Sequence, residues 1–298
     1  MELRQIEAFL AVAEELHFGR AAERLRMAQS PLSQTIKKLE KGLGAPLFVR
    51  NTRSVTLTPA GHSLLPHARR ILDEVDLARR AVSAGTGTVY GKIAIGFSGA
   101  LNHATLPPLT RALRQRYPQL DVTLRGGLLT QEALHQLGNG ALDLAFIGLP
   151  IDAPSLATRC IAIERLGVTL PADHPLAGQA SVEMAELAND PFITMPAAQG
   201  STLREVTFAA CAAAGFRPRI AQEVSDPYTA LSLVAGGVGI SLMPGSIEGI
   251  MPAGIVFLPL QGDDVLLFSG LAWNPGSMSP AVRAAIQLAE EVLPTPGD

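Results

Sequence analysis

Cysteine is nearly absent from this 298-residue chain, which has only Cys160 and Cys211. They stand in separate segments, TRCIAI and AACAAAGF, and can make neither a disulfide framework nor a four-thiolate zinc site. Lysine is almost as scarce, at Lys37, Lys38, Lys41 and Lys92. No stretch approaches the roughly 18 uninterrupted apolar residues of a membrane span. The opening MELRQIEAF carries Glu2 and Glu7 in place of a basic stretch followed by an apolar one, so it does not read as a secretion signal. His17, His62, His67, His103, His135 and His174 fall in different segments. None forms HxH or HExxH, and there is no GxSxG elbow, so neither a metal site nor a catalytic triad is spelled out. The expectation is a cytoplasmic protein with no membrane segment, metal or cofactor, and not an enzyme.

What is present is a sizeable core. Hydrophobic residues make up 47% and charged residues 17%, which excludes wholesale disorder. At about 150 residues per domain, the length suggests about two domains.

The net charge of −3 hides an asymmetry. Residues 1–60 hold nine Lys/Arg and six Asp/Glu, while the remainder holds fifteen and twenty-one. Between His17 and Arg53 there are eight basic residues and two acidic ones. A basic head on an acidic body suggests a nucleic-acid module joined to something else, although a charged solvated face would look the same.

In the head, Leu3, Ile6, Phe9, Leu10, Ala13 and Leu16 recur with helical period and predict a helix over 3–16. A short second helix fits 20–25. After a break at 27–29, Ser30 as cap and Pro31 at the first helical position predict a third helix. Its inner face is Leu32, Ile36, Leu39 and Leu43, and its outer face is Ser33, Gln34, Lys37, Lys38 and Lys41. Short helix, tight turn and second helix is the layout of helix-turn-helix. The second helix brings amides and hydroxyls near its N-terminus to base edges while lysines further along meet phosphates. Gln29, Ser30, Ser33 and Gln34 are the candidates for the base-facing end. Residues 47–49 and 55–57 then read as short strands around a turn with Arg50 and Arg53, a hairpin wing placed to reach DNA backbone or minor groove.

Thr58-Pro59 starts another helix. Leu64, Ala68, Ile71, Val75, Ala78 and Val82 recur at the spacing of a coiled-coil seam. Such a seam needs a partner, either the same helix of a second subunit or the helix's own domain. Pro66 removes one backbone hydrogen bond inside it, and residues 83–87 read as a hinge.

From Lys92 strands alternate with helices: KIAIGF, a helix at 106–117, DVTLR, a helix at 131–137 and LDLAFIG. ERLGVTL, a helix at 182–187, PFITM, a helix at 203–214, RIAQEV, a helix at 228–235 and GISLMP follow. VFLPL, LLFSGLAW and a helix over 279–293 close the chain. This order predicts a mainly parallel sheet in two α/β units, joined by crossover strands at 158–163 and 267–273. The cleft between such units is where small molecules bind. Ser98-Gly99 and Gly200-Ser201-Thr202 each lead from a strand into a helix, where free N–H groups and hydroxyls favour a small carboxylate. They serve equally well as ordinary turn and capping residues. Gly236, Gly237 and Gly239 follow a helix and lack a phosphate-loop lysine, so they read as a tight turn.

HFGRAAERLRMAQSPLSQTIKKLEKGLGAPLFVRNTRSVTLTPAG resembles the DNA-binding head of the LysR-type transcriptional regulators, and most of all members controlling aromatic-compound catabolism. LLPHARRIL, GKIAIGFSGALNHATLPPLTRALRQRYPQLDVTL, LDLAFIG, DHPLAG and LVAGGVGISLMP follow in the family's order, so the resemblance covers all but the tail after Leu293. It implies an α+β multidomain protein. The winged helix-turn-helix would occupy 1–58, a dimerisation helix and hinge 59–88, and a two-subdomain α/β regulatory domain 89–298, similar to periplasmic binding proteins. Its subdomains would fall at about 89–162 with 268–298, and at 163–267. The implied partners are promoter DNA, a small effector, a second copy of the chain in a dimer or tetramer, and RNA polymerase. Family DNA contacts map to Gln29, Ser30, Pro31, Ser33, Gln34, Lys37 and Arg53. Effector contacts map to Ser98, Gly99, Gly148, Gln199, Gly200, Ser201, Thr202, Asp226, Pro227 and Tyr228. Relatives often carry an acid and a polar group where this chain has Gly126, Gly127, Leu128 and Leu129, so that side of the pocket would be less polar.

Two other readings stand beside this one. Some relatives sense peroxide with a cysteine pair, which Cys160 and Cys211 could supply. An enzyme acting on a small molecule would use the same kind of cleft, with His103 near the Ser98 turn.

Overall fold

The computed structural model describes residues 1–50, 55–83, 89–262 and 264–296. The side chains of Arg50, Val82 and Gln199 also lie outside the described set, as do Arg53 and, beyond Ser83, the expected hinge. The chain divides into two compact units. One is Met1–Gly91 with the turn Asn139–Ala141, and the other is Lys92–Gly138 with Leu142–Asp298.

The first unit contains α1 (Leu3–Glu15), α2 (Phe18–Arg24), α3 (Gln29–Leu43), β1 (Phe48–Arg50), β2 (Val55–Leu57) and α4 (Pro59–Ser83). α1 turns Ile6, Phe9, Leu10 and Val12 inward, and α3 turns Leu32, Ile36 and Leu39 to meet them. Phe48 at the root of the wing closes the core, 5.4 Å from Phe9 and 6.0 Å from Phe18 between ring centroids. Glu40 Oε1 accepts the N–H groups of Leu47 and Phe48 at 2.9 and 3.3 Å and so ties the hairpin to α3. Thr58 Oγ1 donates to the Pro46 carbonyl at 2.7 Å and accepts the Gly61 N–H at 3.0 Å, which caps α4 as its sequence leads one to expect. α4 continues without a break through Pro66.

Two expectations for this unit change. Ser30 is not the cap of α3: Ala28 is, with no side-chain bond, and the helix begins two residues earlier, at Gln29. The seam of α4 is not left wholly free either. Ala68 is fully buried in the head's own core, with Leu64 and Ile71 packed against it, while Val75 is half-buried and Ala78 exposed.

The second unit contains β3 (Gly91–Gly96, whose first residue closes the head unit), α5 (Leu106–Arg116), β4 (Leu120–Arg125), α6 (Thr130–Gly138) and β5 (Leu144–Leu149). Then come β6 (Ala157–Pro171), β7 (Pro191–Thr194), α7 (Thr202–Ala213), β8 (Arg219–Glu223), α8 (Pro227–Ala235), β9 (Ser241–Pro244), β10 (Ile255–Pro259), β11 (Leu266–Trp273) and α9 (Pro280–Val292). The main sheet runs β10-β6-β11-β5-β3-β4, with β9 also on β6, and β7 pairs separately with β8.

The sheet is less parallel than the βαβ order predicts. β3–β5 and β7–β8 are parallel, but β11 is antiparallel to both β5 and β6, and β6 is antiparallel to β9 and β10. The reason is β6, a single 15-residue strand. Its first part pairs with β11 and its last part with β9 and β10, so one strand carries the chain from one lobe to the other. β11 brings it back. The crossovers expected at 158–163 and 267–273 are these two strands. The helix expected at 182–187 shrinks to a 3-10 turn, Met184–Leu187, because Val182 is held in an edge bridge to Leu260. Gly239 approaches the Pro191 carbonyl so closely that a β-carbon would lie 2.4 Å from its oxygen. A tight turn there is what the glycine cluster provides.

Candidate nucleic-acid interface and ligand cleft

α3 presents two chemically opposite faces because its apolar residues recur every three or four positions. Opposite Leu32, Ile36 and Leu39, the residues Gln29, Ser30, Pro31, Gln34, Lys37, Lys38 and Lys41 are exposed and Ser33 is half-buried. Since Ala28 offers no side-chain cap, the N–H groups of Gln29 and Ser30 have no acceptor among the described residues. Uncapped N–H groups at a helix N-terminus suit a phosphate. This feature is missed if Ser30 is read as the cap.

The head's positive charge is not all available to a polyanion. Glu14 and Glu15, at the end of α1, receive Arg20, Arg24 and Arg69. Arg24 lies 2.7 Å from Glu14, Arg69 3.5 Å from Glu14, and Arg20 3.3 Å from Glu15. Hydrogen bonding to Glu14 and its charge push the Arg24 guanidinium above its ordinary pKa. Lys37, Lys38 and Lys41 make no ion pair among the described residues. The cationic surface therefore concentrates along α3.

The second unit holds a cleft of about 430 Å3, counting its open mouth. Ser98, Leu101, Asn102, Leu128, Leu129, Thr130, Phe146 and Ile147 line it from one side of the sequence. Gly148, Ser201, Thr202, Leu203, Leu267 and Ser269 complete the lining. Of the expected contacts, Ser98, Gly148, Ser201 and Thr202 come together here. Gly99 adjoins them with φ +109°, a conformation that favours glycine, and a β-carbon on it would lie 3.4 Å from Asp226 Oδ1. Asp226 caps α8 by accepting the Thr229 N–H at 2.8 Å, Pro227 is buried behind it, and Tyr228 is exposed outside the lining. Gly200 is buried against the Gln131 side chain and is not part of the lining.

Sequence reasoning missed Asn102, Thr130 and Ser269. Thr130 Oγ1 accepts the Gly148 N–H at 3.2 Å. Ser269 comes from β11, and nothing local in sequence announces that this strand passes under the cleft. Leu128 and Leu129 are lining residues, so the expectation of a less polar wall there agrees with their placement. His103 is not in the lining, and its Nδ1 lies 2.9 Å from the Ala100 carbonyl. His174 bridges Asp190 at 3.2 Å and accepts the Leu176 N–H, which is a structural role.

Cys160 and Cys211 are both free thiols. Cys211 is fully buried in α7, and burial pushes its thiol up to about 11. A thiol in that environment is a poor nucleophile at neutral pH. No described helix is long and apolar enough to cross a membrane, and no described group of His, Cys, Asp and Glu is placed to hold a metal ion.

Residues 3–62 match the family described as "bacterial regulatory helix-turn-helix protein, lysR family", and residues 86–294 match the LysR substrate binding domain. The chain belongs to the LysR family. It is similar to the HTH-type transcriptional regulator ShiR of Corynebacterium glutamicum, with 49% identity over 98% of this chain and 99% of that protein. Among solved structures, full-length CbnR in complex with its target DNA superposes with a TM-score of 0.73 and 27% identity, covering 98% of this chain and 100% of that one. Full-length BenM superposes at 0.61 with 30% identity over 98% and 96% of the two chains. This LysR protein is a DNA-binding transcriptional regulator with an effector-binding domain, not an enzyme. Its winged head and two-lobed α/β domain are those of the family.

Proposed function

We propose that this regulator binds promoter DNA as a homo-oligomer and changes transcription when a small carboxylate or aromatic acid enters the cleft. One observation carries the ligand reading. The cleft sits at the N-terminus of α7, where Ser201 and Thr202 face Gly148 and Ser98 across a mixed hydroxyl and hydrocarbon lining. A helix N-terminus with free N–H groups favours an anion, and the leucines and Phe146 suit a ring or short chain. The likeness of the head to controllers of aromatic catabolism favours an aromatic acid among carboxylates.

In this reading Gln29, Ser30, Pro31, Ser33, Gln34 and Lys37 meet DNA from α3, and Arg53 reaches it from the wing. The exposed amide, hydroxyl and cationic face of α3 supports that assignment. Residues 1–58 form the head, 59–88 the connection and 89–298 the effector domain, whose lobes exchange the chain through β6 and β11. The distal part of α4, with Val75, Ala78 and Val82, pairs with a second subunit, and dimers associate to a tetramer. The protein works in the cytoplasm, where promoter DNA and RNA polymerase are met. Ligand alters lobe closure and thereby the spacing of the heads on a dyad site.

The direct test is a thermal-shift screen of the full chain against small aromatic and aliphatic carboxylates, with hits carried to fluorescence anisotropy on promoter DNA. A ligand at a hundredfold over its Kd stabilises by about 2.7 kcal/mol. A hit that also alters promoter binding supports the function. Silence across the screen removes the carboxylate reading and leaves DNA binding standing.

A further inference from the structure

Two side chains in the cleft are more than nine-tenths buried and still have a polar group without a partner. Asn102 and Thr202 are each 8% exposed. Asn102 Oδ1 receives the Ser98 N–H at 3.0 Å and the Ser98 hydroxyl at 3.1 Å. A backbone N–H can only donate, so the amide has one possible orientation, with oxygen toward Ser98 and nitrogen away from it. The two donors on Nδ2 then meet no acceptor among the described residues. Thr202 Oγ1 also makes no hydrogen bond there. It stands in the first turn of α7, where the N–H groups of Thr202 and Leu203 are likewise unclaimed.

Charge is as informative as hydrogen bonding. No described lining residue is ionisable. Arg204, in the first turn of α7, is engaged elsewhere, 2.7 Å from both the Met195 carbonyl and Glu223 and stacked 4.4 Å over the Phe208 ring. The helix N-terminus is equivalent to about half a positive charge, which together with two hydroxyls suits one carboxylate. A second carboxylate would be buried without a counter-charge.

We propose that the effector is a monocarboxylate carrying an uncharged oxygen acceptor, a hydroxyl or keto group. The carboxylate lies at the N-terminus of α7 on Thr202, and the neutral oxygen on Nδ2 of Asn102. This rests on reading the cleft as the effector site and narrows the class of acid it takes. Asn102 is the residue that sets selectivity, because only a ligand with the second oxygen gives its two cleft-facing donors an acceptor within the site.

The test is isothermal titration of the full chain with benzoate, 3-hydroxybenzoate, isophthalate and 3-hydroxybenzyl alcohol, which share a ring and differ in one group. The expected order has 3-hydroxybenzoate about tenfold tighter than benzoate and isophthalate weakest. Asn102→Leu removes the donors at similar volume and brings the ratio of 3-hydroxybenzoate to benzoate affinity to about one. Asn102→Ala gives the same readout should the leucine variant not fold. Isophthalate binding as tightly as 3-hydroxybenzoate, or an affinity ratio that Asn102→Ala leaves unchanged, overturns this proposal and keeps the cleft as a carboxylate site. Equal binding of the alcohol, or no binding by any probe, removes the carboxylate reading and this inference with it.

Discussion

Gly148 on β5 and Thr202 on α7 meet so closely that a β-carbon on the glycine would lie 2.3 Å from Thr202 Oγ1 and 2.4 Å from its Cβ. Both atoms belong to a short, buried side chain that has little room to give. Gly148→Ala therefore pushes β5 and α7 apart at the cleft, at a cost of about 1–3 kcal/mol. The expected result is loss of the ligand-induced thermal shift, with ligand-free affinity for promoter DNA within about twofold of the parent. A full ligand response in the variant would show that the cleft does not need this contact.

On α3 the two kinds of contact separate by their salt dependence. Lys37→Ala removes about one phosphate neutralisation per head, so it weakens all DNA sequences alike and reduces the slope of log affinity against log salt by about 0.9 for each head bound. Gln29→Ala leaves the slope and lowers discrimination between the cognate site and single-base variants by about 1–3 kcal/mol. Anisotropy titrations at several salt concentrations check both. Two variants that bind like the parent would move the DNA interface off this helix.

The seam of α4 makes a paired prediction. Val75→Asp places a charge on the part of the helix that the head does not use, and sedimentation velocity is expected to show monomers with unchanged circular dichroism. Ala68→Asp puts a charge into a fully buried site and is expected to unfold the head, since an unpaired buried charge costs several kcal/mol. A Val75→Asp protein that keeps its oligomeric state locates the subunit contact elsewhere.

Much of this was legible in the chain because period and punctuation agree. The inner face of α3, the Thr58-Pro59 start of α4 and the strands of the second unit lie where residue spacing puts them. The cap of α3 was misread because Ser30-Pro31 is a good helix start that loses to one begun two residues earlier, with Pro31 still inside the first turn, where it lacks no needed N–H. The antiparallel pairings of β6 and β11 were not readable, since a strand's neighbours are set by topology and not by its own alternation. Asn102 and Ser269 escaped for the same reason. Each is an unremarked polar residue until folding brings it to the wall of the cleft.

Cys211 gives a pH prediction. The unfolded thiol ionises near its ordinary 9.0, whereas burial holds the folded one to about 11. The unfolded chain thus gives up its proton first, and stability falls as pH rises between those values, by up to about 1.4 kcal/mol per pH unit. Below pH 9 this contribution is complete. Cys211→Ala is expected to flatten the decline of the urea midpoint over that interval. The same burial keeps the thiol un-ionised at neutral pH, so mild peroxide is expected to leave promoter binding unchanged. A peroxide-dependent change would restore the redox reading.

The Glu14 carboxylate is shared by Arg24 of α2 and Arg69 of α4, while Ala68 beside it is sunk in the core between them. The base of the long helix is thereby bolted to the reading head at a polar joint and an apolar one, a turn apart from any freedom to swivel. Displacing the base of α4 therefore means breaking both joints or carrying α1 along with it.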